Sequence, residues 1–184
     1  MKTFFIRLKF FVLLFLFAVP VFAQMTSPAD TFPVPNGNAY LLFYLQRQPN
    51  PNTIMVDLNV KNDKLDLDDP VHVYWIRYTE ERQRAELNWI QRTFAYGIHT
   101  KKIADDVYEM NFVSYKKLKF TLKLSPDKIW KVFVKMNNGS EMILKRIYLH
   151  VNGGSFWKPN IEYVELKGVS PGTYKEIRER IHIK

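Results

Sequence analysis

The chain has 184 residues, of which 47% are hydrophobic and 15% aromatic, and its formal net charge is +9 at pH 7. This length and apolar content suit one domain with a single hydrophobic core, so we expect no second domain. The sequence has no cysteine, which excludes disulfide bonds, thiolate metal sites and a lipid anchor attached to a cysteine.

The N-terminus is typical of a signal peptide over residues 1–23. Three basic side chains precede an unbroken apolar run over residues 10–19, and Val21 and Ala23 provide small residues for cleavage before Gln24. An uncleaved membrane anchor is the alternative, but the apolar run is shorter than the roughly 20 residues of a spanning helix. We therefore expect a soluble protein, periplasmic or secreted, with no transmembrane segment after cleavage.

Residues 24–39 are predicted to form a flexible N-terminal lead-in. They show little periodicity, and three prolines and a glycine interrupt them, namely Pro28, Pro33, Pro35 and Gly37. We expect one β-rich domain to follow over residues 40–184.

The first part of the domain combines strands with one helix. Apolar and polar residues alternate over residues 53–60, as in a half-buried strand, whereas residues 71–78 carry β-branched and aromatic side chains on both faces, as in a central strand. Three apolar residues then recur at helical spacing, which predicts one short helix near residues 84–96. Gly97 is expected to take the left-handed conformation just past its end.

Alternating strands return after the helix. They are predicted over residues 108–112, 118–124, 130–136, 142–151, 161–166 and 177–183. The second and third of these are expected to form a hairpin. Short turns favour antiparallel pairing, so the predicted fold is an all-β, single-domain antiparallel β-barrel or coiled β-sandwich of about eight or nine strands. Alternation alone does not separate a barrel from a sandwich.

Familiar catalytic and metal-binding motifs are missing from the sequence. It has no nucleophile elbow and no phosphate-binding glycine loop, and Gly153-Gly154-Ser155 favours a turn because no helix pattern follows it. Four aspartates share one loop but lack the spacing of a calcium-binding loop: Asp63, Asp66, Asp68 and Asp69. The four histidines lie far apart in the sequence: His72, His99, His150 and His182. We therefore predict no catalytic residue, no metal site and no cofactor.

Lysines recur on one side of the predicted hairpin. They form an outward basic face that consists of Lys117, Lys119, Lys123, Lys131 and Lys135. Such a face suits an anionic component of the cell envelope, and it equally suits a strand surface that only needs to stay soluble. An exported protein rarely meets nucleic acid, so we expect no nucleic-acid partner.

The aromatic residues are more numerous than a small core needs. An eight-stranded barrel is just wide enough to hold either packed side chains or one small ligand. The candidates for contact with a small apolar ligand are Tyr74, Trp75, Tyr96, Trp130 and Tyr148. Packing within a filled core is the alternative role of these rings.

Several short motifs occur in a characteristic order: Asn50-Pro51-Asn52-Thr53, Tyr74-Trp75-Ile76, Ala95-Tyr96-Gly97-Ile98, and later Tyr163 with Gly168. On these motifs the chain resembles DUF4833, a family of unknown function among secreted proteins of Bacteroidetes-type bacteria. The resemblance covers roughly residues 42–180. It implies one intact domain and export, and it implies no catalytic residue.

Three functional hypotheses follow. The first is an exported soluble binding module of the cell envelope that holds a small apolar ligand. The second is a structural or protein-interaction domain with a solid core, and the third is an enzyme whose site is assembled from dispersed residues. A solid core excludes the ligand-binding hypothesis, whereas a cleft that gathers histidine, carboxylate and tyrosine favours an enzyme. The oligomeric state is left open.

Overall fold

The computed structural model of the chain describes residues 27–155 and 158–183. The predicted signal peptide, residues 1–23, lies outside the described residues. The described part is mostly β-structure with one short α-helix, which confirms the predicted all-β class. Within these ranges, no helix is long and apolar enough to cross a membrane.

The described residues contain thirteen strands, a 3-10 helix at Pro28–Thr31 and an α-helix, α1, at Trp89–Phe94. The strands are β1 (Leu41–Arg47), β2 (Thr53–Leu58), β3 (Val60–Lys61), β4 (Lys64–Leu65), β5 (Val71–Arg77), β6 (Gln83–Glu86), β7 (Ile98–Ala104), β8 (Val107–Phe112), β9 (Tyr115–Leu124), β10 (Trp130–Lys135), β11 (Glu141–Gly154), β12 (Pro159–Val169) and β13 (Glu176–His182). Short strands such as β3, β4 and β6 carry no clear alternation, and therefore the described strands outnumber the predicted eight or nine.

Eleven of these strands form one curled sheet, a half-barrel, and β3 pairs with β4 alone. The long strand β11 organises this sheet. One wing leads from it through β1, β2 and β5 to β6, and the other leads through β10, β9 and β8 to β7. Strands β12 and β13 extend the sheet from the other edge of β11.

The sheet is mixed, whereas antiparallel pairing was predicted throughout. Strand β1 runs parallel to β11, with Tyr44 opposite Arg146 and Arg47 opposite Leu149. The first residues of β11 pair with β10 on that same edge, so one long strand serves both wings. About a hundred residues separate β1 from β11 along the chain. No short turn joins them, and none therefore imposes an antiparallel direction.

The core lies on the inner face of the half-barrel, between the two wings. Phe43 of the first wing packs against Phe112 and Phe120 of the second, with ring centroids 6.3 Å and 5.7 Å apart. All three rings are buried. Burial of each such side chain stabilises a fold by about 1.5–3 kcal/mol, so these contacts hold the wings together.

The helix is shorter than predicted, because residues 83–86 form the edge strand β6. The Asn88 side chain accepts the Gln91 N–H, and the Gln91 side chain accepts the Asn88 N–H, which makes a capping box at the start of α1. Gly97 does not take a left-handed conformation, which corrects the prediction. A side chain at Gly97 would instead collide with the Arg92 carbonyl oxygen.

Part of the expected lead-in packs on the outer face of the sheet. Residues 28–31 form the 3-10 helix, and Ala29 is fully buried. Farther along, the Pro33 carbonyl accepts a hydrogen bond from the buried Gln46 side chain of β1, at 2.7 Å. From Ser27 onward this segment thus belongs to the folded unit.

Candidate functional site

An apolar cavity of about 380 Å³ opens beside the core on the inner face of the sheet. Strands from both wings and from β12 contribute its walls. The main wall residues are Leu45, Phe112, Ile147, Leu149, Ile161 and Val164. Because side chains alternate along a strand, the same register that builds the core continues into this cavity. The side chains of the described residues therefore do not fill the half-barrel completely.

Helix α1 contributes Ile90, Gln91 and Phe94 to the lining of the cavity, and we call this part of the lining its roof. Ile90 and Phe94 line the cavity and remain substantially exposed, and Phe94 retains 58% exposure. The helix is tied down at both ends, because Trp75 Nε1 donates to Gln91 Oε1 at 3.2 Å and Ser114 Oγ donates to the Ala95 carbonyl at 2.6 Å. An anchored roof with exposed apolar side chains is typical of the rim of a binding site.

Polar side chains are few around the cavity, and two of them are cationic. Arg47 ends β1 on the inward register of Phe43 and Leu45, and its guanidinium carbon lies 5.8 Å from the Tyr96 ring centroid. Lys158 is exposed at the start of β12. Burial raises the pKa of the Tyr96 hydroxyl, so this hydroxyl stays neutral at ordinary pH.

A second, more polar cavity of about 340 Å³ adjoins the first one. The two share Arg47, Val151 and Pro159. The remaining lining of the polar cavity consists of Gln48, Pro49, Asn50, Gly153, Gly154 and Ser155. Gly153 and Gly154 have positive φ angles and are the last two residues of β11, where Gly154 pairs with Pro159 of β12.

The lining offers little for acid–base catalysis. No histidine, aspartate or glutamate occurs among the described residues that line either cavity. The described ranges also contain no cluster of three histidine or carboxylate side chains suited to a metal ion. The described lining consists mainly of apolar side chains, and Arg47 and Lys158 are its two cations.

Only one of the five aromatic candidates lines the apolar cavity, and that residue is Tyr96. Trp75 packs edge-on against Tyr96, with ring centroids 5.1 Å apart, but does not itself line the cavity. Trp130 contacts Tyr108 in another part of the core. The structure thus brings Trp75 and Tyr96 together and leaves Trp130 apart.

Tyr74 and Tyr148 lie on the outer face of the sheet and belong to polar networks. The Tyr74 hydroxyl donates to the buried Asp57 at 2.9 Å, and the Tyr148 hydroxyl donates to Gln48 Oε1 at 3.0 Å. Burial raises the pKa of each tyrosine to about 12. Period-two alternation shows that two residues share a face, but it does not show which face becomes concave.

The five lysines of the basic face do lie on one side of β9 and β10, and Lys123 is directly opposite Lys131. Three of them pair with carboxylates. Lys119 contacts Glu109 at 3.0 Å, Lys123 contacts Glu141 at 3.1 Å, and Lys131 contacts Asp127. Lys117 and Lys135 are exposed. Much of the positive charge on this face is therefore balanced locally.

A buried ionic cluster lies under the N-terminal segment on the outer face. Arg146 and Glu165 are both 3% exposed and approach within 3.6 Å. Arg146 also donates to Asp30 at 3.1 Å, and Glu165 accepts from Ser27 at 2.8 Å and from Arg180 at 3.0 Å. The chain supplies partners for both charges, which indicates a structural role.

Asp30 links this cluster to the last strand. Hydrogen bonds from Arg178 and Arg146 lower the pKa of Asp30 to about 2, although partial burial opposes the shift. The Arg178 contact measures 2.7 Å. The Asp30 carboxylate therefore fastens the N-terminal segment electrostatically across a wide pH range.

The chain matches the family described as Domain of unknown function (DUF4833) over residues 43–180. The chain belongs to this family. The match runs from β1 into β13, so the DUF4833 domain includes every strand that contributes to the walls of the apolar cavity. No curated protein and no solved structure matches the chain. The geometry of the DUF4833 domain is therefore the basis for any functional inference.

Proposed function

We propose that this DUF4833 domain is an exported binding module that holds a small, largely apolar ligand in the apolar cavity. The observation that carries the proposal is a cavity of about 380 Å³ whose walls are mainly apolar and include residues of α1. Ligand pockets commonly span about 300–1,000 Å³ and combine hydrophobic walls with a few polar groups. The cavity has the volume and the lining that a small ligand requires.

The exposed apolar residues of α1 support the same conclusion. Trp89 is 71% exposed and packs edge-on against Phe94, which lines the cavity. Water contact with such side chains is unfavourable by about 25 cal/mol per Å² of apolar surface. A ligand in the cavity that contacts Phe94 removes part of this apolar surface from water. This burial favours ligand binding.

The exposed face of α1 also favours a second candidate, an interaction domain that presents Trp89 and Phe94 to another protein. The two functions differ in what fills the cavity. An interaction domain requires only the outer side of the helix, whereas a ligand carrier requires the space below it. Changes inside the cavity therefore separate the two candidates.

The first test uses the neutral fluorescent probe N-phenyl-1-naphthylamine and the Leu149→Trp variant, whose larger side chain fills part of the apolar cavity. We expect the wild-type protein, residues 24–184, to enhance the probe's fluorescence. We expect Leu149→Trp to weaken probe binding by about tenfold or more, which corresponds to roughly 1.4 kcal/mol.

Leu67→Trp is the matched control, because Leu67 is an exposed leucine outside the cavity. Its probe affinity should equal that of the wild type. Equal weakening in both variants, or no fluorescence enhancement by the wild type, contradicts ligand binding in the cavity. Thermal unfolding of each variant shows whether it is folded.

Export is the other part of the proposal, and it rests on the basic and apolar pattern of residues 1–23. Expression of the full chain in a bacterium, followed by fractionation and intact-mass measurement, tests it. We expect a periplasmic or secreted product whose mass begins at Gln24. A full-length protein retained in the membrane fraction would show an uncleaved anchor instead.

A further inference from the structure

The helix α1 presents apolar side chains on the side that faces away from the sheet. Gln91 faces the body of the protein, because its side chain accepts a hydrogen bond from Trp75 Nε1 at 3.2 Å. Trp89 precedes Gln91 by two residues, which places it about 200° around the helix, on the outward side. Trp89 is 71% exposed, and its ring contacts the Phe94 ring edge-on, with centroids 5.7 Å apart. These two rings therefore form one exposed apolar surface.

The turn before β9 enlarges this surface. Ser114 Oγ donates to the Ala95 carbonyl at 2.6 Å, so the turn is held against the C-terminal end of α1. The next residue, Tyr115, is 38% exposed and lines the apolar cavity together with Ile90 and Phe94. We call the exposed residues of the helix and the turn the apolar patch: Trp89, Ile90, Phe94 and Tyr115. The patch borders the apolar cavity, because three of its residues line that cavity.

Positive charge flanks the apolar patch. Residues 88–104 contain three lysine or arginine residues and residues 113–124 contain four, whereas neither segment contains an aspartate or a glutamate. Lys116, near the start of β9, is exposed. Arg92 is exposed on α1, with Glu86 of β6 as an acidic neighbour at 3.9 Å. The two segments that form the patch thus carry cations and no carboxylate of their own.

This combination suits the surface of a membrane better than the surface of a protein. A stable protein interface covers about 800 Å² on each partner and involves roughly 20–30 residues a side, far more than the patch provides. Tryptophan is enriched where membrane meets water, because its ring contacts hydrocarbon while its N–H contacts polar groups. Lysine and arginine beside such rings are attracted to anionic lipid head groups. A few apolar side chains and cations are therefore enough for docking on a membrane.

We infer that α1 and the turn before β9 dock on the surface of a membrane that contains anionic phospholipid. The apolar patch enters the interfacial region, and Arg92 and Lys116 contact the head groups. This inference goes beyond the proposed function, because docking uses the exposed side of α1 and requires nothing inside the cavity.

The position of the patch connects docking with ligand binding. Ile90 and Phe94 belong both to the apolar patch and to the lining of the apolar cavity. In the docked state the cavity therefore lies next to the membrane. An apolar ligand can then pass between membrane and cavity with little exposure to water.

Sedimentation with vesicles tests the inference. The protein, residues 24–184, is mixed with vesicles of phosphatidylcholine alone or of phosphatidylcholine and phosphatidylglycerol in equal amounts. We expect the anionic vesicles to bind it at least about tenfold more tightly, because each basic residue near an anionic surface adds attraction. The preference should shrink at high salt, since salt screens exposed charges.

Trp89→Ser should weaken binding to the anionic vesicles by about tenfold or more, because it removes the most exposed ring of the apolar patch. Ile129→Ser is the matched control, because Ile129 is 56% exposed and lies between β9 and β10, outside the patch. This control should bind vesicles as the wild type does. Thermal unfolding shows whether each variant is folded.

Tryptophan fluorescence reports contact between the patch and lipid directly. Trp75 is buried and Trp130 is half-buried, whereas Trp89 is largely exposed. We expect the emission of the wild type to shift to shorter wavelength when anionic vesicles are added. Trp89→Phe should keep most of the vesicle binding, because it retains an apolar ring, and should lose most of the shift.

Lys116→Gln tests the contribution of charge. It should lower the affinity for anionic vesicles about fivefold and leave binding to neutral vesicles unchanged. Lys175→Gln is the matched control, because it removes the same charge from an exposed residue in the turn between β12 and β13. This control should keep the wild-type affinity for both kinds of vesicle.

The outcomes separate docking from ligand binding. Leu149 lies inside the apolar cavity, so Leu149→Trp should dock as the wild type does although it loses probe binding. If the wild type binds neither kind of vesicle, or binds both equally, docking on anionic lipid is overturned and a protein partner for α1 remains, whatever the probe result. If Leu149→Trp loses vesicle binding as strongly as Trp89→Ser, lipid enters the cavity and the docking inference is wrong. Equal binding by Trp89→Ser and Ile129→Ser would also overturn it.

Discussion

The two faces of the half-barrel differ in whether the chain itself covers their unusual residues, which are buried charges on the outer face and exposed apolar side chains on the inner face. On the outer face, Arg146 and Glu165 are buried charges covered by the chain's own N-terminal segment. On the inner face, the apolar cavity remains open, and Phe94 on its roof is still 58% exposed. The outer face is completed from within the chain, whereas the inner face leaves space that the described residues do not fill.

This difference distinguishes residues that stabilise the fold from residues that are available to bind a ligand. A buried charge is costly unless other groups in the protein pair with it, and Ser27, Asp30 and Arg180 supply such partners in the outer cluster, although Arg146 Nε and Glu165 Oε1 have no hydrogen-bond partner among the described residues. An open apolar surface has no such partner within the described chain. The outer cluster should therefore govern stability with little effect on binding, and the cavity should govern binding with little effect on stability.

The largest expected effect comes from Arg146→Met, which leaves Glu165 as a buried charge with fewer partners. Removal of one member of a buried ion pair costs about 3–5 kcal/mol, and we expect about 3 kcal/mol here. Urea denaturation of residues 24–184 measures the free energy of unfolding. Probe binding at low urea should remain at the wild-type value.

A double variant sharpens this prediction. Arg146→Met combined with Glu165→Leu removes both charges, and it should recover at least half of the lost stability because no unpaired carboxylate remains buried. A single-variant loss below about 1 kcal/mol would show that the cluster is dispensable. The comparison between the two faces would then lose its basis.

A smaller effect is expected from Asp30→Asn. The pKa of Asp30 is lowered to about 2 in the folded chain by Arg178 and Arg146, so the folded state binds fewer protons than the unfolded state between about pH 4 and pH 2. The stabilising contribution is present above about pH 4 and is lost as the pH falls toward 2. Because Asp30 is partly exposed, we expect the variant to lose only about 1 kcal/mol at pH 7.

Unfolding of the wild type and of Asp30→Asn as a function of pH measures this contribution. The difference between the two proteins should decrease as the pH falls from about 4 through 2. Asp105→Asn is the control, since Asp105 is a fully exposed aspartate and should change little at any pH. A stability difference for Asp30→Asn that does not change with pH would contradict an electrostatic origin.

Local patterns predicted much of the fold. Strict alternation in residues 118–124 and 130–136 is set by burial of one face, and the structure confirms this hairpin as β9 and β10. The parallel pairing of β1 with β11 has no local signal, because it depends on a long-range contact. The start of α1 did have a local sequence signal, since Asn88 and Gln91 have the spacing of a capping box.

The candidate site was only partly predictable. Tyr96 was among the aromatic candidates and lines the cavity, whereas Tyr74 and Tyr148 lie on the outer face, because alternation does not identify the concave face. Arg47 was overlooked. Its signal was present in the sequence, since a cation two residues after Leu45 continues an apolar register. A charged residue at such a position lies either where the buried face of the strand ends or at a binding site.

The smallest expected change in stability comes from Phe94→Ser. Because Phe94 is largely exposed, its loss should cost less than about 0.5 kcal/mol of unfolding free energy. Probe binding should nevertheless weaken several-fold, since Phe94 is part of the roof of the apolar cavity.

Ile129→Ser is the matched control, because Ile129 is 56% exposed and lies outside the cavity. It should leave both stability and probe affinity unchanged. A loss of more than about 1.5 kcal/mol in Phe94→Ser would place Phe94 in the structural core. Unchanged probe affinity would instead place the ligand away from α1. Either result removes the contrast between an inner face that serves binding and an outer face that serves stability.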